Sequence, residues 1–352
     1  MKSAVVLLSP SRGLGGGIER YLQTLEWAFA AQGVECHRID LRGPGAMAHA
    51  RMLADARTYL RARSTPPSRV VAAHPSLLPV ASLLASHRSV SGVRVICHGS
   101  DVWSTRRRAR RSVERRLMCR GDVRVVAVSS FTAGVLGGSC PATVLPPALS
   151  REWFNALVAA SAAGPPSARH DGIDLVTAFR LEDWRDKGLP ELLQAVAALG
   201  RPDVKLIVCG SGVASPDMMR MVGEHPYCTV RAGLSDRELA RQFAAADLFV
   251  LATRTRHGRH ASGEGFGLVL LEAQVAGTPV VAPAFGGSHD AFLNEITGVA
   301  PTDESAATLA STLARVLADP ARLALMGRRA AEWARESHAP ERYPPLVITR
   351  LL

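Results

Sequence analysis

The chain predicts an α/β protein of two domains, each organised on a parallel sheet. Three observations lead there. At 352 residues it is long enough for two cores of ordinary size. Short continuous apolar runs, the mark of strands buried on both faces, alternate with longer amphipathic stretches through both halves. Each half also opens on the same plan of strand, loop and helix: Ala4 to Leu8 precedes a glycine-rich loop, and Ile173 to Ala178 precedes a charged one. Open sheets of this class keep their ligands beyond the carboxyl ends of the strands, so polar residues there are the ones to read for function.

Composition narrows the class. Hydrophobic residues make up 47% and charged residues 21%, as in a globular protein, and the net charge is +11. Lysine occurs only at 2, 187 and 205, so arginine supplies nearly all the positive charge. That balance favours anionic partners: nucleotide diphosphates, phospholipid headgroups or nucleic acid. The six cysteines stand far apart, without Cys-x-x-Cys or a nearby histidine pair, which predicts reduced core residues and no metal site. The apolar run at the amino terminus is too short for a secretory signal and no run approaches a membrane span, so a cytoplasmic protein is expected.

In the first half, Ala4 to Leu8 reads as a buried strand, Ser9 to Gly17 as a loop, and Ile18 to Gln32 as a helix. The loop carries Gly13, Gly15, Gly16 and Gly17. This is close to a dinucleotide fingerprint, but Ile18 takes the last glycine position. Asp40, at the end of the next strand, stands where a ribose-binding acid would, so a nicotinamide-dependent oxidoreductase is one reading. Val34 to Ile39, Arg69 to Ala73, Val93 to Cys97, Val123 to Val128 and Ala142 to Leu145 read as further strands. Helices are expected at Arg51 to Leu60 and Leu77 to Ser86. The strand ending at Cys97 runs into His98-Gly99-Ser100-Asp101; a lone histidine there is commonly a satisfied or surface residue. Thr105 to Arg120 holds eight arginines with a weak apolar stripe, consistent with one half-covered helix. A solvated face is the plain reading, and anionic lipid is the candidate partner. Nucleic acid is not expected, because no aromatic residues interleave with the charges. Ser129-Ser130 caps a helix. Arg151 to Asp171, rich in Ala, Ser and Pro, reads as a linker.

In the second half, Arg180 and Lys187 lie in the loop between the strand Ile173 to Ala178 and a helix from Leu189 to Leu199. Val204 to Cys209 is a strand before the tight turn Gly210-Ser211-Gly212, and Val230 to Leu234 is the next extended piece. Ser235 is an N-cap for a helix to Ala245. Asp247 to Ala252 is a buried strand, and Thr253 to His260 is a basic loop. Then comes Ser262 to Gly277, with Gly263, Gly265 and Gly267 around Glu264, an apolar helix carrying Glu272, and a Gly-Thr-Pro stop. Glycines at a helix start admit a ligand to the backbone, and the unpaired first-turn N–H groups favour a phosphate. Eight residues of helix cover about 12 Å. The two glutamates could thus hold separate hydroxyl pairs of one elongated ligand whose anionic middle rests on the helix terminus, a shape that fits a sugar nucleotide. The plain alternative, a buried helix with incidental glutamates, is awkward for Glu272 among leucines and valines. Pro279 to Ala282 is a strand, and Ala306 to Leu317 and Ala321 to Arg335 are amphipathic helices.

The segment Glu-Gly-Phe-Gly-Leu-Val-Leu-Leu-Glu-Ala, from Glu264 to Ala273, resembles the donor-site motif of the retaining glycosyltransferases of family 4, which have the GT-B fold of two Rossmann-like domains facing a central cleft. The resemblance implies an acceptor-binding domain at 1–150, a linker at 151–171, a donor-binding domain at 172–335, and a tail at 336–352 that crosses back. It also implies roles. Gly16 and Gly17 would face the donor diphosphate and acceptor. His98 would contact the transferred sugar, and Asp101 the sugar or acceptor. Arg180 and Lys187 would neutralise the diphosphate with the backbone of Phe266 and Gly267, Gly210 would border the nucleobase, Glu264 would hold the sugar, and Glu272 the ribose. The expected partners are a nucleoside diphosphate sugar and a hydroxyl acceptor, with peripheral contact to the inner membrane face through Arg106 to Arg120 and with no cofactor. The chain departs from the family at Pro146-Pro147-Ala148, at Ala178-Phe179, and at Gly286-Gly287-Ser288-His289-Asp290. A non-enzymatic nucleotide or nucleic-acid binding protein is the third reading.

Overall fold

The structure is a computed structural model that describes residues 4–10, 17–62, 68–103, 108–164, 172–259 and 261–352. The chain forms two compact units. The first holds Met1–Ala148, Arg256–Ala261 and Glu341–Leu352, and the second holds Leu149–Thr255 and Ser262–Pro340.

In the first unit β1 (Ala4–Ser9), α1 (Gly17–Ala31), β2 (Glu35–Asp40), α2 (Ala46–Arg61), β3 (Ser68–Ala72), α3 (Leu78–Leu84), β4 (Val90–Cys97), α4 (Ser100–Trp103), α5 (Arg108–Met118), β5 (Val123–Ala127), α6 (Ser130–Gly137) and β6 (Ala142–Val144) follow one another. The strands lie in the order β2-β1-β3-β4-β5-β6, and every neighbouring pair is parallel. Alternation along each strand decides the layers. Val6, Leu8, Val70, Ala72, Val93 and Val95 pack with Met52 and Leu60 of α2 and Leu78 and Leu84 of α3. Val5, Leu7, Val71 and Ile96 point the other way and are equally buried. Each such aliphatic side chain removed from water contributes roughly 1.5–3 kcal/mol before the ordering entropy is counted.

The second unit contains α7 (Arg151–Ala162), β7 (Ile173–Arg180), α8 (Leu189–Ala198), β8 (Val204–Ser211), α9 (Pro216–Gly223), β9 (Cys228–Ala232), α10 (Asp236–Ala245), β10 (Leu248–Val250), α11 (Leu268–Val275), β11 (Val280–Val281), β12 (Gly298–Val299), α12 (Ala306–Leu317) and α13 (Pro320–Ser337). The final helix, α14 (Tyr343–Leu351), belongs to the first unit and packs on α1. The sheet order is β12-β11-β10-β7-β8-β9, again with all pairs parallel. The order reverses between β7 and β10, so the loops leaving those two strands flank the topological switch point, where ligands of such sheets bind.

Several sequence expectations change. The stretch expected as a linker is helical through Ala162: Ser150 caps α7 by accepting the Trp153 N–H at 3.3 Å, and Trp153, Phe154 and Leu157 are buried. Its alanines favour helix over spacer, and the aromatic pair supplies an apolar face that packs on α10 and α11. Residues 165–171 lie outside the described residues. Gly210 and Ser211 continue β8 as ladder partners of Phe179 and Arg180, so the tight turn begins later, at Gly212. Helix α9 was not foreseen, nor was the helical form of residues 343–351. The arginine helix ends at Met118, two residues before Arg120, and 104–107 lie outside the described residues.

Candidate functional site

The second unit places its chemistry at the switch point. Gly188, at the foot of α8, has φ 70°, and a Cβ there would overlap the carbonyl oxygen of Ala252. Glycine therefore lets the loop after β7 lie directly against the chain leaving β10. The consequence is local: Lys187 meets Thr253 and Glu264. Lys187 Nζ stands 2.9 Å from Glu264 Oε2, and the Thr253 hydroxyl donates to that same oxygen at 2.9 Å. Both contacts use Oε2, which leaves Glu264 Oε1 as the open acceptor among the described residues. The backbone of Glu264 is fixed as well, because its carbonyl accepts the Gly287 N–H at 2.8 Å and a Cβ on Gly286 would stand 2.8 Å from it. Gly286 and Gly287, given no role from sequence, thus position Glu264.

Beyond Glu264 the chain turns through Gly267, the N-cap of α11, with φ 79°. A Cβ there would come 3.0 Å from Leu270 Cδ1 and 3.4 Å from Glu264 Cγ. The first-turn N–H groups of α11 lack intrahelical acceptors, so a positive helix end lies beside the Lys187 ammonium. Phe266 is buried. Glu272 is 5% exposed in the middle of α11, amid buried Leu270, Leu271, Ala273 and Val275.

Arg180 ends β7, and its guanidinium closes on Asp183 through two hydrogen bonds of 2.9 and 3.0 Å. This half-exposed pair is of the kind that contributes about 0–1 kcal/mol. An incoming phosphate can therefore take the guanidinium from Asp183 at small cost. At Gly210 a Cβ would overlap Leu181 and the Phe179 carbonyl, so glycine there lets β8 lie close to the chain leaving β7.

In the first unit His98 and Asp101 stand just past β4. His98 Nε2 is 2.7 Å from the Ala73 carbonyl, to which it donates, so Nδ1 is the ring nitrogen left for a ligand. The Tyr21 ring meets it edge-on, with centroids 5.7 Å apart. Both Asp101 carboxylate oxygens accept the His98 N–H, at 3.0 and 2.9 Å, and the side chain is buried. Asp101 is thus turned inward and holds the His98 loop, in place of the direct sugar or acceptor contact expected of it. His74, after β3, accepts the Ser76 N–H on Nδ1 and points Nε2 at Asp101 from 4.0 Å. Gly17 is exposed at the start of α1, and Gly16 lies outside the described residues.

Two other expectations lose support. Asp40, the acid of the nicotinamide reading, accepts Arg38 Nε at 2.8 Å, while the buried Arg38 guanidinium also binds Glu19 and Glu26, each at 3.0 Å. A ribose would have to displace that guanidinium. On α5, Arg110 and Arg111 are held by the buried Glu114, and just past the helix Arg120 is paired with Asp122. Arg115 and Arg116 remain exposed; Arg106 and Arg107 lie outside the described residues. Among the described residues no group of histidine, cysteine and acidic side chains is placed to hold a metal, and no helix is long and apolar enough to cross a membrane.

Burial, the dominant cause, pushes the imidazoles of His74 and His338 down from 6.5 to about 4. In the unfolded chain they protonate near pH 6.5. The unfolded state then binds more protons, so their contribution to stability is full above about pH 6.5 and is lost as the pH falls toward 4. Thermal midpoints should begin to drop below pH 6.5, and His338→Gln should flatten the profile. A midpoint that stays level to pH 5 contradicts this assignment.

Residues 167–333 match the family described as glycosyl transferases group 1. The chain is 29% identical over 366 residues to the GDP-mannose-dependent alpha-(1-6)-phosphatidylinositol monomannoside mannosyltransferase of Mycolicibacterium smegmatis, covering 91% of this chain and 90% of that one. The protein of that name from Mycobacterium tuberculosis is 30% identical over 266 residues, 72% of this chain and 68% of the relative. Among solved structures, the sucrose-phosphate synthase from Thermosynechococcus elongatus superposes with a TM-score of 0.79 at 18% identity, over 99% of this chain and 98% of that one. The fold is GT-B, an α/β architecture of two Rossmann-like domains.

Proposed function

The chain belongs to the glycosyl transferases group 1 family, and from that premise we propose that it moves a hexosyl group from a nucleoside diphosphate sugar to an acceptor hydroxyl with retention of anomeric configuration. The observation that carries the donor site is the convergence of Lys187 and Thr253 on one oxygen of Glu264, beside the amino terminus of α11. In this reading the diphosphate lies on the backbone N–H groups of Phe266 and Gly267, with Lys187 and Arg180 meeting the charge that grows as the sugar departs. Glu264 Oε1 accepts a sugar hydroxyl, Glu272 accepts the ribose hydroxyls, and His98 offers Nδ1 to the transferred sugar. Glu264 is already engaged by a cation and a hydroxyl, so no covalent nucleophile is assigned. The leaving phosphate departs and the acceptor attacks on one face, and a phosphate oxygen takes the acceptor proton.

The relatives' names make GDP-mannose the first donor to try and an inositol-containing glycolipid the first acceptor. Peripheral contact with an anionic membrane face, carried by Arg115 and Arg116, is part of the same proposal. No cofactor or catalytic metal is assigned. Calorimetric titration of the whole chain with GDP-mannose, NAD and an oligonucleotide tests the reading. Saturable binding of the sugar nucleotide alone is the expected result, whereas binding of NAD in its place would restore the oxidoreductase reading.

A further inference from the structure

His98 is held by two segments of the first unit, and both are tied to one helix. Its ring donates from Nε2 to the Ala73 carbonyl, in the segment after β3, and its backbone N–H donates to the Asp101 carboxylate, in the turn after β4. Arg110 Nη2 donates to the Ser76 carbonyl of the first segment at 3.1 Å. Arg111 Nη1 donates to the main-chain carbonyl of Asp101 in the second. Each support of His98 is thus reached by one guanidinium of α5. Both guanidiniums grip main-chain oxygens, so what they fix is the course of the two segments.

The two arginines share an anchor. Glu114 follows them by four and three residues, which puts all three on one face of α5. Its Oε1 accepts Arg110 Nε at 2.8 Å, and its Oε2 accepts Arg111 Nη1 at 3.1 Å. Glu114 is the single acid of α5 and is 2% exposed. A buried carboxylate is costly unless cations pair with it, and removing one member of such a set leaves the others uncompensated. Hydrogen bonds from a charged donor are also the strong ones, so each guanidinium can link the anchor to its carbonyl firmly.

We propose that Glu114, acting through Arg110 and Arg111, is a positioning residue that fixes the orientation of the His98 ring. The clamp keeps Ala73 to Ser76 and His98 to Asp101 in register, so that Nε2 retains its acceptor and Nδ1 is left for a ligand. The consequence for the reaction rests on the proposed function, in which Nδ1 meets the transferred sugar: a ring free to turn would present the wrong atom.

The test uses the full chain with isotope-labelled histidine, followed by NMR of the imidazole nitrogens, with His98 assigned through the signals missing from His98→Gln. Without substrate, His98 should show one protonated and one bare nitrogen. Arg111→Gln and Glu114→Gln should draw those two signals together, as in a ring that exchanges between tautomers, while His338, in the second unit, keeps its pattern. Arg111 is partly exposed and its loss leaves Glu114 paired with Arg110, so Arg111→Gln keeps the test open if Glu114→Gln does not fold. With a donor that turns over, the same variants should lose up to roughly 10²-fold in turnover, the scale of a misplaced reacting group. The Michaelis constant for the donor should change little, because Lys187 and Arg180 lie in the other unit. Glu114→Asp, which keeps the charge, should recover part of the loss. His98 signals that change while turnover does not would support the clamp and overturn the role given to His98 in the reaction. His98 signals that stay separate in Arg111→Gln, and in Glu114→Gln where it folds, overturn the proposal whatever turnover does, and leave Glu114 as a stabiliser of α5 alone.

Discussion

Replacing Lys187 with alanine should lower turnover by roughly 10²- to 10³-fold at saturating donor, the effect of removing one charge-assisted contact that strengthens as the leaving group forms. Lys187 has two duties in the proposed site. In the free protein its ammonium neutralises Glu264 at 2.9 Å, and in the reaction it meets the departing diphosphate. Its loss leaves Thr253 as the remaining donor to Glu264 Oε2 and turns a neutral pair into a bare carboxylate next to a phosphate. Both changes raise the barrier. Arg180→Ala should act in the same direction but less strongly, because Arg180 must first leave Asp183. If Lys187→Ala instead raises the Michaelis constant and leaves turnover alone, the ammonium contributes only uniform binding and the transition-state role is wrong.

Gly188→Ala should be the most disruptive single-methyl change at the site. The left-handed backbone alone costs an alanine roughly 1–2 kcal/mol, and the added Cβ would overlap the Ala252 carbonyl. The loop after β7 must then move off the chain leaving β10. Lys187 moves with it, away from Thr253 and Glu264. Thermal unfolding and turnover should both suffer, whereas Gly17→Ala, with nothing within 4 Å of its Cβ, should leave the thermal midpoint almost unchanged. Equal midpoints for the two variants would show that the close packing at Gly188 is not needed to build the site.

Much of the second unit was legible because its signals are local. The run from Ile173 to Leu199 states strand, charged loop and helix in order, and Glu264 to Ala273 states a glycine turn and a buried helix. Ser235 reads as a cap, and Glu238 completes the capping box. What sequence did not reveal depends on contacts between distant segments. Thr253 is an ordinary threonine after a buried strand until the Gly188 loop brings Lys187 and Glu264 beside it. The only hint was its place just past the carboxyl end of a strand at the switch point. The Arg180 to Asp183 pair was visible as a near neighbour, but not whether the guanidinium would turn toward it. Asp101 could be read as pointing outward or inward, and only the two bonds from the His98 N–H decide. The linker reading of Arg151 to Ala162 failed because small residues suit both a spacer and a helix. Trp153 and Phe154, which require burial, were the overlooked signal.

The most direct test of the account is nucleoside diphosphate release from a donor panel that begins with GDP-mannose and includes uridine and adenosine diphosphate sugars, run with a glycolipid acceptor and followed by NMR of the product. The account predicts that one donor releases its nucleoside diphosphate in step with a glycosylated product whose anomeric configuration matches that of the donor. Release from none of these donors, or a product of inverted configuration, would contradict it.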